Sequence, residues 1–325
     1  MQNYDTAGRL ERVAVSGAGE FAYARLPGSD LVQTLAMPNG VTRETAFDPH
    51  RALPVSITHT NISGTVLTLR TFTRDADDRL TNRTQYRLGD ETNRLDSFGY
   101  NPRSELTQAE LGTNAYAYAF DTIGNRTTVS ETNASSVYGA NGLNQYSVIS
   151  NFVDSVPSCE FVPEFDLDGN QTMLRTTTGI WHVTYNAENR PVIFSNETAV
   201  IEMGYDYMGR RFEYKETGGG AVTRHERFLY RGYLQLAALN LLDGTNVFHT
   251  IVWDPTEPTA TRPLALQTQS GWFAFSFDQI KNVTELFDAS GNIAAAYDYA
   301  PFGAVAESSG PAVSINPLTG YRGQP

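Results

Sequence analysis

The stretch NAYAYAFDTIGNRTTV, residues 114–129, contains both parts of the pattern that decides the fold. The aromatic residues from Tyr116 to Phe120 occupy alternate positions, and alternate side chains of a β-strand share one face of a sheet. Asp121 then suits the first position of a type I turn, where its carboxylate accepts a backbone N–H two residues on. Gly124 suits the fourth position, where φ is often positive. The stretch therefore predicts a β-hairpin.

The same pattern recurs along the chain. An aromatic residue followed by Asp-x-x-Gly begins at Tyr4, Phe120, Phe165, Tyr205 and Phe287, and looser copies begin at Phe47, Tyr100, Tyr185, Phe277 and Tyr297. Several copies are 20 residues apart, so about twenty residues form a unit. The residues predicted to build these repeat turns are Tyr4, Asp5, Gly8, Phe120, Asp121, Gly124, Phe165, Asp166, Gly169, Tyr185, Asn186, Tyr205, Asp206, Gly209, Phe277, Asp278, Asp288, Gly291, Tyr297, Asp298, Pro301, Phe302 and Gly303.

A unit of this length is one hairpin, and an isolated hairpin is only marginally stable in water, so the units must stack. Stacking side by side gives a spiralling sheet, whereas pairs of units would give propeller blades. The irregular spacing favours the spiralling sheet, and we predict an all-β fold. A mean hydropathy of −0.35 suggests a wall one sheet thick with water on one side. Arg43, Thr45 and Arg70 stand at ladder positions, which predicts a wetter face for some hairpins.

Composition disfavours several classes of function. The formal net charge of −12 repels phosphate backbones and anionic lipid heads, so we expect no nucleic-acid partner. Met1 is followed by neither a basic nor an apolar leader segment, and no stretch is long and apolar enough for a membrane span. The single cysteine, Cys159, excludes internal disulfides.

No residues form a convincing catalytic or metal site. Asp166-x-Asp168-Gly-Asn170 resembles the start of a calcium loop, but the acidic residue that should close such a loop is absent. The five histidines lack metal-ligand spacing, and none forms a recognisable pair with Cys159. Seven Asn-x-Ser/Thr sequons occur, and those at Asn125 and Asn170 follow a turn glycine, which favours turn chemistry over glycosylation. We predict no cofactor, no metal and no enzyme activity.

Six phrases carry a family resemblance: YARLPGSDLV (23–32), VYGANGLNQY (137–146), YNAENRPV (185–192), YDYMGRR (205–211), YDYAPFG (297–303) and NPL-x-GYRGQ (316–324). They resemble the YD repeats and the repeat-associated core of RHS proteins, of which teneurins are eukaryotic relatives. The resemblance implies one repeat region over residues 1–325. Residues 277–325 would be the first part of the repeat-associated core, which is incomplete. It also implies a secreted bacterial β-shell that encloses a C-terminal toxin or effector.

The chain departs from the family pattern at its end. The family's core continues into an Asp-Pro-x-Gly segment that supports self-cleavage, whereas this sequence stops at Pro325. We therefore expect a piece of a longer shell, without self-cleavage, whose partners are the remaining shell segments and the enclosed cargo. The isolated chain should then self-associate. Two alternatives stay open: a surface adhesion module that binds glycans through Trp253 and Trp272, and an aspartyl autoprotease.

Overall fold

The computed structural model describes residues 1–176, 178–242, 244, 246–256 and 262–317. They form 29 β-strands and one short 3₁₀ helix, Val313–Ile315. The strands make two antiparallel sheets, and in each sheet the spatial order of the strands is their order along the chain. The prediction of an all-β fold of stacked hairpins is confirmed. Most of the phrase NPL-x-GYRGQ and part of the Pro-rich stretch 254–263 lie outside the described residues.

The first sheet has 15 strands. They are β1 (Gln2–Tyr4), β2 (Leu10–Val15), β3 (Gly19–Arg25), β4 (Val32–Ala36), β5 (Thr42–Phe47), β6 (Pro54–Thr60), β7 (Val66–Arg74), β8 (Leu80–Arg87), β9 (Arg94–Tyr100), β10 (Leu106–Leu111), β11 (Asn114–Phe120), β12 (Arg126–Glu131), β13 (Ala134–Ala140), β14 (Tyr146–Val153) and β15 (Val156–Phe161).

The second sheet has 14 strands. They are β16 (Glu164–Phe165), β17 (Gln171–Thr176), β18 (Gly179–Tyr185), β19 (Pro191–Ser195), β20 (Ala199–Tyr205), β21 (Arg211–Gly218), β22 (Ala221–Arg231), β23 (Leu234–Asn240), β24 (Asn246–Trp253), β25 (Pro263–Thr268), β26 (Gly271–Phe277), β27 (Val283–Phe287), β28 (Ile293–Tyr299) and β29 (Val305–Ser309).

The hairpin between β11 and β12 shows how the repeat folds. The Gly124 amide donates to the Asp121 carbonyl at 3.3 Å, and the Asp121 amide donates to the Asn125 carbonyl at 2.9 Å. Gly124 has a φ of 94°, and the strand register shifts at Phe120. This is a type I turn followed by a left-handed residue, which adds a bulge and matches the natural twist of the strands.

The contacts of the chain group into two compact units: unit 1 is Met1–Asn114 with Ile251–Pro325, and unit 2 is Ala115–Thr250. The prediction that 1–325 is a single repeat region concerns the repeats themselves and stays a prediction. In unit 1, residues of β2–β4, of the β4–β5 turn and of β7 pack against residues of β25–β27. This first core cluster comprises Leu10, Val13, Phe21, Tyr23, Leu35, Met37, Val41, Leu67, Leu264, Ala265, Trp272, Ala274 and Phe287.

A second cluster covers the other face of the strands that end unit 1. It comprises Ile251, Leu266, Phe273, Phe275, Phe277, Val283, Leu286, Ala294, Ala295, Tyr297, Tyr299 and Ala312. Every residue of β26 from Trp272 to Phe277 is therefore buried. The expectation of a wall one sheet thick is wrong for unit 1, because a low average hydropathy over the chain does not show where the apolar residues concentrate.

Candidate functional site

The repeat turns share one hydrogen-bond pattern. The Asp121 Oδ1 accepts the backbone N–H groups of Ile123 and Asn125, both at 2.9 Å. The same two bonds form at Asp5, Asp166, Asn186, Asp206, Asp278 and Asp288. At Asp166 these bonds engage the carboxylate that the calcium-loop interpretation would have needed as a ligand.

The other turn residues lie where the hairpin geometry needs them. The aromatic residue of each copy ends a strand, as at Tyr4, Phe120, Phe165, Tyr185, Tyr205 and Phe277. The turn glycines have positive φ, at Gly8, Gly124, Gly169, Gly209, Gly291 and Gly303. Asn189 takes the glycine place in one copy with a φ of 58°. Asparagine is, after glycine, among the residues that tolerate this region best.

The residue after the turn glycine completes the motif by a side-chain hydrogen bond to the turn aspartate. The aromatic-Asp-x-x-Gly pattern does not include this residue. Asn125 Nδ2 donates to Asp121 Oδ2 at 2.8 Å, and Arg210 Nε donates to Asp206 Oδ2 at 2.7 Å. These side-chain bonds are the largest cause that holds the pKa of Asp121 and of Asp206 below its usual value. The same arrangement occurs at Asp75 with Arg79, which the aromatic pattern missed because Arg74 precedes that turn.

In several repeats a tyrosine links the hairpin to the one before it. The hydroxyl of Tyr185 donates to the Gln171 carbonyl at 2.9 Å, and that carbonyl lies five residues after the turn residue Asp166. Equivalent bonds run from Tyr100 to Leu80, from Tyr230 to Arg211 and from Tyr299 to Val283. This bond explains why tyrosine rather than phenylalanine occupies several copies.

The turn predicted at Tyr297-Asp298 lies two residues later. Asp298 is inside β28 and pairs with Glu307 of β29. The turn begins at Ala300, whose carbonyl accepts the Gly303 amide at 2.9 Å. Pro301 therefore occupies the second turn position, which its fixed φ suits, and Phe302 is half exposed at the third. Tyr299 is thus the aromatic of this copy, with alanine in the aspartate place.

Asp298 instead belongs to a network of buried charges in unit 1, which we call the ion seam. The seam consists of Arg70, Arg83, Arg87, Arg94, Asp96, Asp278, Glu285 and Asp298. Its centre is the pair of Arg70 from β7 and Glu285 from β27, which are 1% and 0% exposed. Two guanidinium nitrogens contact the two carboxylate oxygens, with Nη1 to Oε2 at 3.1 Å.

Three polar atoms of the central pair have further partners. Arg70 Nε donates to Gln85 Oε1 at 3.0 Å, and Ser276 Oγ donates to Glu285 Oε2 at 2.9 Å. Arg87 contacts Glu285 at 3.3 Å and Asp298 at 3.1 Å. A buried ion pair is tolerated when further hydrogen bonds satisfy its remaining donors and acceptors, and this pair has such bonds at Arg70 Nε and at both Glu285 oxygens.

The seam continues along β8 and β9. Arg83 and Arg94 both lie 2.7 Å from Asp96, which is fully buried. Arg94 also approaches Asp298 at 3.5 Å, and Arg83 approaches Asp278 at 3.9 Å. Strands from the first sheet therefore supply the arginines and Asp96, and strands or turns of the second sheet supply the other carboxylates.

The electrostatics follow from burial and neighbouring charge. Burial alone would raise the pKa of Glu285, but Arg70 and Arg87 outweigh it and hold that pKa well below its usual 4.5. Burial raises the pKa of Asp278, and Arg83 opposes this only in part. Burial also lowers the pKa of His59 to about 3, and its Nδ1 lies 2.9 Å from Thr68 Oγ1.

The expected wetter face is wrong at Arg70 and Thr45, which are buried at 1% and 7% exposure, while Arg43 is half-buried. The charge of Arg70 is matched by Glu285 of the second sheet rather than by water. The ion pairs tie strands of the first sheet to strands of the second within unit 1. Within the described ranges, no group of three or more His, Cys, Asp or Glu side chains could hold a metal ion.

Comparison with known proteins shows the family to which this architecture belongs. The model of the teneurin YD-shell family matches residues 41–324. The chain belongs to this family. The resemblance to RHS and YD-repeat proteins is thereby confirmed, and the stacked hairpins are YD-shell hairpins. No curated protein matches this YD-shell chain.

Two crystal structures have the same fold. The first, of TcdB2-TccC3-Cdc42, aligns with a TM-score of 0.69 at 14% identity and covers 99% of the YD-shell chain but 18% of its own. The second, of TcdB2-TccC3-TEV, aligns with a TM-score of 0.50 at 10% identity and covers 99% and 21%. The YD-shell chain therefore spans about a fifth of the solved structures it matches.

Two further findings concern Trp272 and membrane-spanning helices. Trp272 is only 9% exposed and packs in the first core cluster of unit 1, so it cannot stack on a glycan as the adhesion interpretation requires. The part of the YD-shell chain that the structure describes contains no helix with the length and apolar character needed to span a bilayer.

Proposed function

We propose that this chain is part of the wall of a secreted bacterial β-shell that encloses a C-terminal toxin or effector segment. The observation that supports this most is the unbroken strand order: β2–β14 and β17–β28 each pair with both neighbours in their sheet. A paired strand offers no free backbone edge, so a protease or chaperone cannot engage it. The function is mechanical, and the wall acts by isolating what it surrounds.

The tyrosine links and the ion seam would keep such a wall closed. The hydroxyls of Tyr100, Tyr185, Tyr230 and Tyr299 each tie one hairpin to the preceding one. The seam ties strands β7–β9 to β27 and β28 within unit 1. On this proposal, residues 1–325 are one repeat region and 277–325 start the repeat-associated core. The remaining shell segments and the cargo are its partners, and the chain itself has no catalytic role.

A protease-protection experiment tests the enclosure. The chain is expressed with the flanking sequence that its gene encodes, and a recognition site for a sequence-specific protease is placed inside the C-terminal segment. In a matched control the same site replaces the exposed hairpin tip at Gly219-Gly220. We expect rapid cleavage at the tip and none inside until denaturant is added. Equal cleavage rates at both sites would contradict enclosure.

The isolated chain should also self-associate. Strands β1 and β29 are exposed along their whole length and lie at the ends of their sheets. Their unpaired N–H and C=O groups are templates for another strand. Light scattering should show concentration-dependent assembly, and Ala306→Pro, which removes a donor from β29, should reduce it. A monomer at all concentrations would argue against this part of the proposal.

A further inference from the structure

A cavity of about 640 Å³ in unit 1 lies apart from the ion seam's central pair. Side chains of β2–β6 line one side of it, and residues 254–256, Arg262 and residues 277–279 line the other. Its volume is within the range of about 300–1,000 Å³ that is typical of small-molecule sites. The shell proposal gives this cavity no role.

The cavity is rich in arginine although the chain as a whole is acidic. Arg9, Arg25, Arg43 and Arg262 line it, in a protein with a formal net charge of −12. Three aspartates line it as well, so the lining carries one more arginine than acid. The cleft is therefore less negative than the protein as a whole, which favours an anion here over the rest of the surface.

The acidic residues of the cavity already have partners within the protein. Asp254 is buried, and its Oδ1 accepts the Tyr23 hydroxyl at 3.0 Å and the Thr256 hydroxyl at 2.7 Å. Asp278 accepts the Asn282 side-chain amide at 2.9 Å. The third acid, Asp30, is 88% exposed and lies 3.5 Å from Arg9.

Arg25 is the arginine best placed to bind a ligand. Its Nη1 donates to the Leu10 carbonyl at 2.7 Å, and it forms no ion pair with any described residue. A guanidinium has five donors in a fixed fork, so Arg25 keeps donors for another acceptor. Its half-buried position strengthens a charged hydrogen bond relative to one at the surface.

The apolar residues of the lining indicate that the rest of the ligand is apolar. Ile57 and Phe277 are 6% and 5% exposed, and Phe47 is half-buried beside them. We propose that this cavity binds an organic acid, with its carboxylate on Arg25 and its apolar body against Phe47 and Ile57. A carboxylate matches the planar fork of a single guanidinium in a bidentate pair, and Arg25 forms no ion pair among the described residues.

The test uses the full chain and three probes that share a phenyl group: N-acetyl-phenylalanine, its uncharged amide, and phenyl phosphate. Ligand-observed NMR titration measures the affinity of each. We expect N-acetyl-phenylalanine to bind and the amide to bind about tenfold or more weakly, since a hydrogen bond to a charged group is lost. Added salt should weaken the binding of the acid.

Variants locate the site. Arg25→Gln should weaken binding of the acid by about tenfold or more. Arg12→Gln should leave it unchanged, because the exposed Arg12 does not line the cavity. Arg25→Lys keeps the charge and should give an intermediate affinity if Arg25→Gln does not fold.

Equal binding of acid and amide, unchanged binding in Arg25→Gln or a failure of all three probes to bind at millimolar concentration would each overturn the proposal. Tighter binding of phenyl phosphate than of the acid would overturn the assignment of a carboxylate.

Discussion

The substitution Glu285→Gln tests whether the ion seam holds unit 1 together. It leaves Arg70, which is 1% exposed, and Arg87 without their shared carboxylate. Removing one member of a buried ion pair destabilises a protein by about 3–5 kcal/mol, because the remaining charge is buried and uncompensated. Glutamine keeps the volume and one acceptor oxygen, so we expect a loss near the lower limit, about 3 kcal/mol.

Urea unfolding followed by tryptophan fluorescence measures this loss. Trp253 and Trp272 belong to unit 1 and Trp181 to unit 2, so a Trp181→Phe background makes the signal report on unit 1. The matched control is Glu20→Gln in the same unit. Glu20 lies 3.3 Å from Arg12, and both side chains are about half exposed, so the control should lose less than about 1 kcal/mol.

The pH dependence provides a second criterion. The pKa of Glu285 is lower in the folded chain than its usual 4.5. Its contribution to stability is therefore fully present above pH 4.5 and is lost as the pH falls toward the folded pKa. The difference in unfolding free energy between wild type and Glu285→Gln should be largest near neutral pH and shrink in acid.

A loss no larger than that of Glu20→Gln, or a difference that grows as the pH falls, would refute the role of the seam. The double substitution of Arg70→Met with Glu285→Leu gives a further check. It removes both charges of the central pair, so it should be less destabilising than Glu285→Gln.

Three further outcomes are expected. Tyr185→Phe should lower the stability of unit 2 by about 0.5–1.5 kcal/mol through loss of its bond to Gln171, whereas Tyr207→Phe, at an exposed side chain, should change little. Urea unfolding measures both in a chain that keeps Trp181, in unit 2, and carries phenylalanine at positions 253 and 272, in unit 1. Gly169→Ala should lose about 1–2 kcal/mol because its φ is 85°, and Gly142→Ala, without a positive φ and with open space at its Cβ, should be near neutral. The imidazole of His59 should stay neutral down to a pH of about 3, which an NMR titration of its ring protons would contradict if the ring charged near its usual 6.5.

The local structure of the repeat could be predicted from the sequence because its causes are local. All of these causes lie within one hairpin: the aromatic alternation of 114–120, the turn at Asp121 and the left-handed conformation of Gly124. The phrase YDYAPFG shows the limit of this reasoning. Its Tyr297-Asp298 matches the motif by letters, but Pro301 and Gly303 place the turn two residues later.

The ion seam could not be predicted from the sequence in the same way. Arg70 and Glu285 are 215 residues apart, and nothing local to either shows which partner it meets. From sequence alone, a charged residue in a strand is expected to face solvent. Only the structure shows that a second sheet covers it. The one local signal was Glu285 within the apolar run Val283–Phe287, where a charge has no exposed strand face to occupy.

The buried charges of the ion seam can specify the register of the strands, which apolar packing alone leaves undetermined. A strand that slips by one residue moves its whole set of side chains to the other face, and repeated hairpins with similar aromatic ladders offer many near-equivalent alignments. Apolar surfaces would tolerate several of these alignments at little difference in energy. A slip that separated Arg70 from Glu285 would instead leave two buried charges unpaired, at several kcal/mol each. The seam therefore selects one register for the sheets of unit 1, even if two apolar residues of similar volume would make the pair's site equally stable.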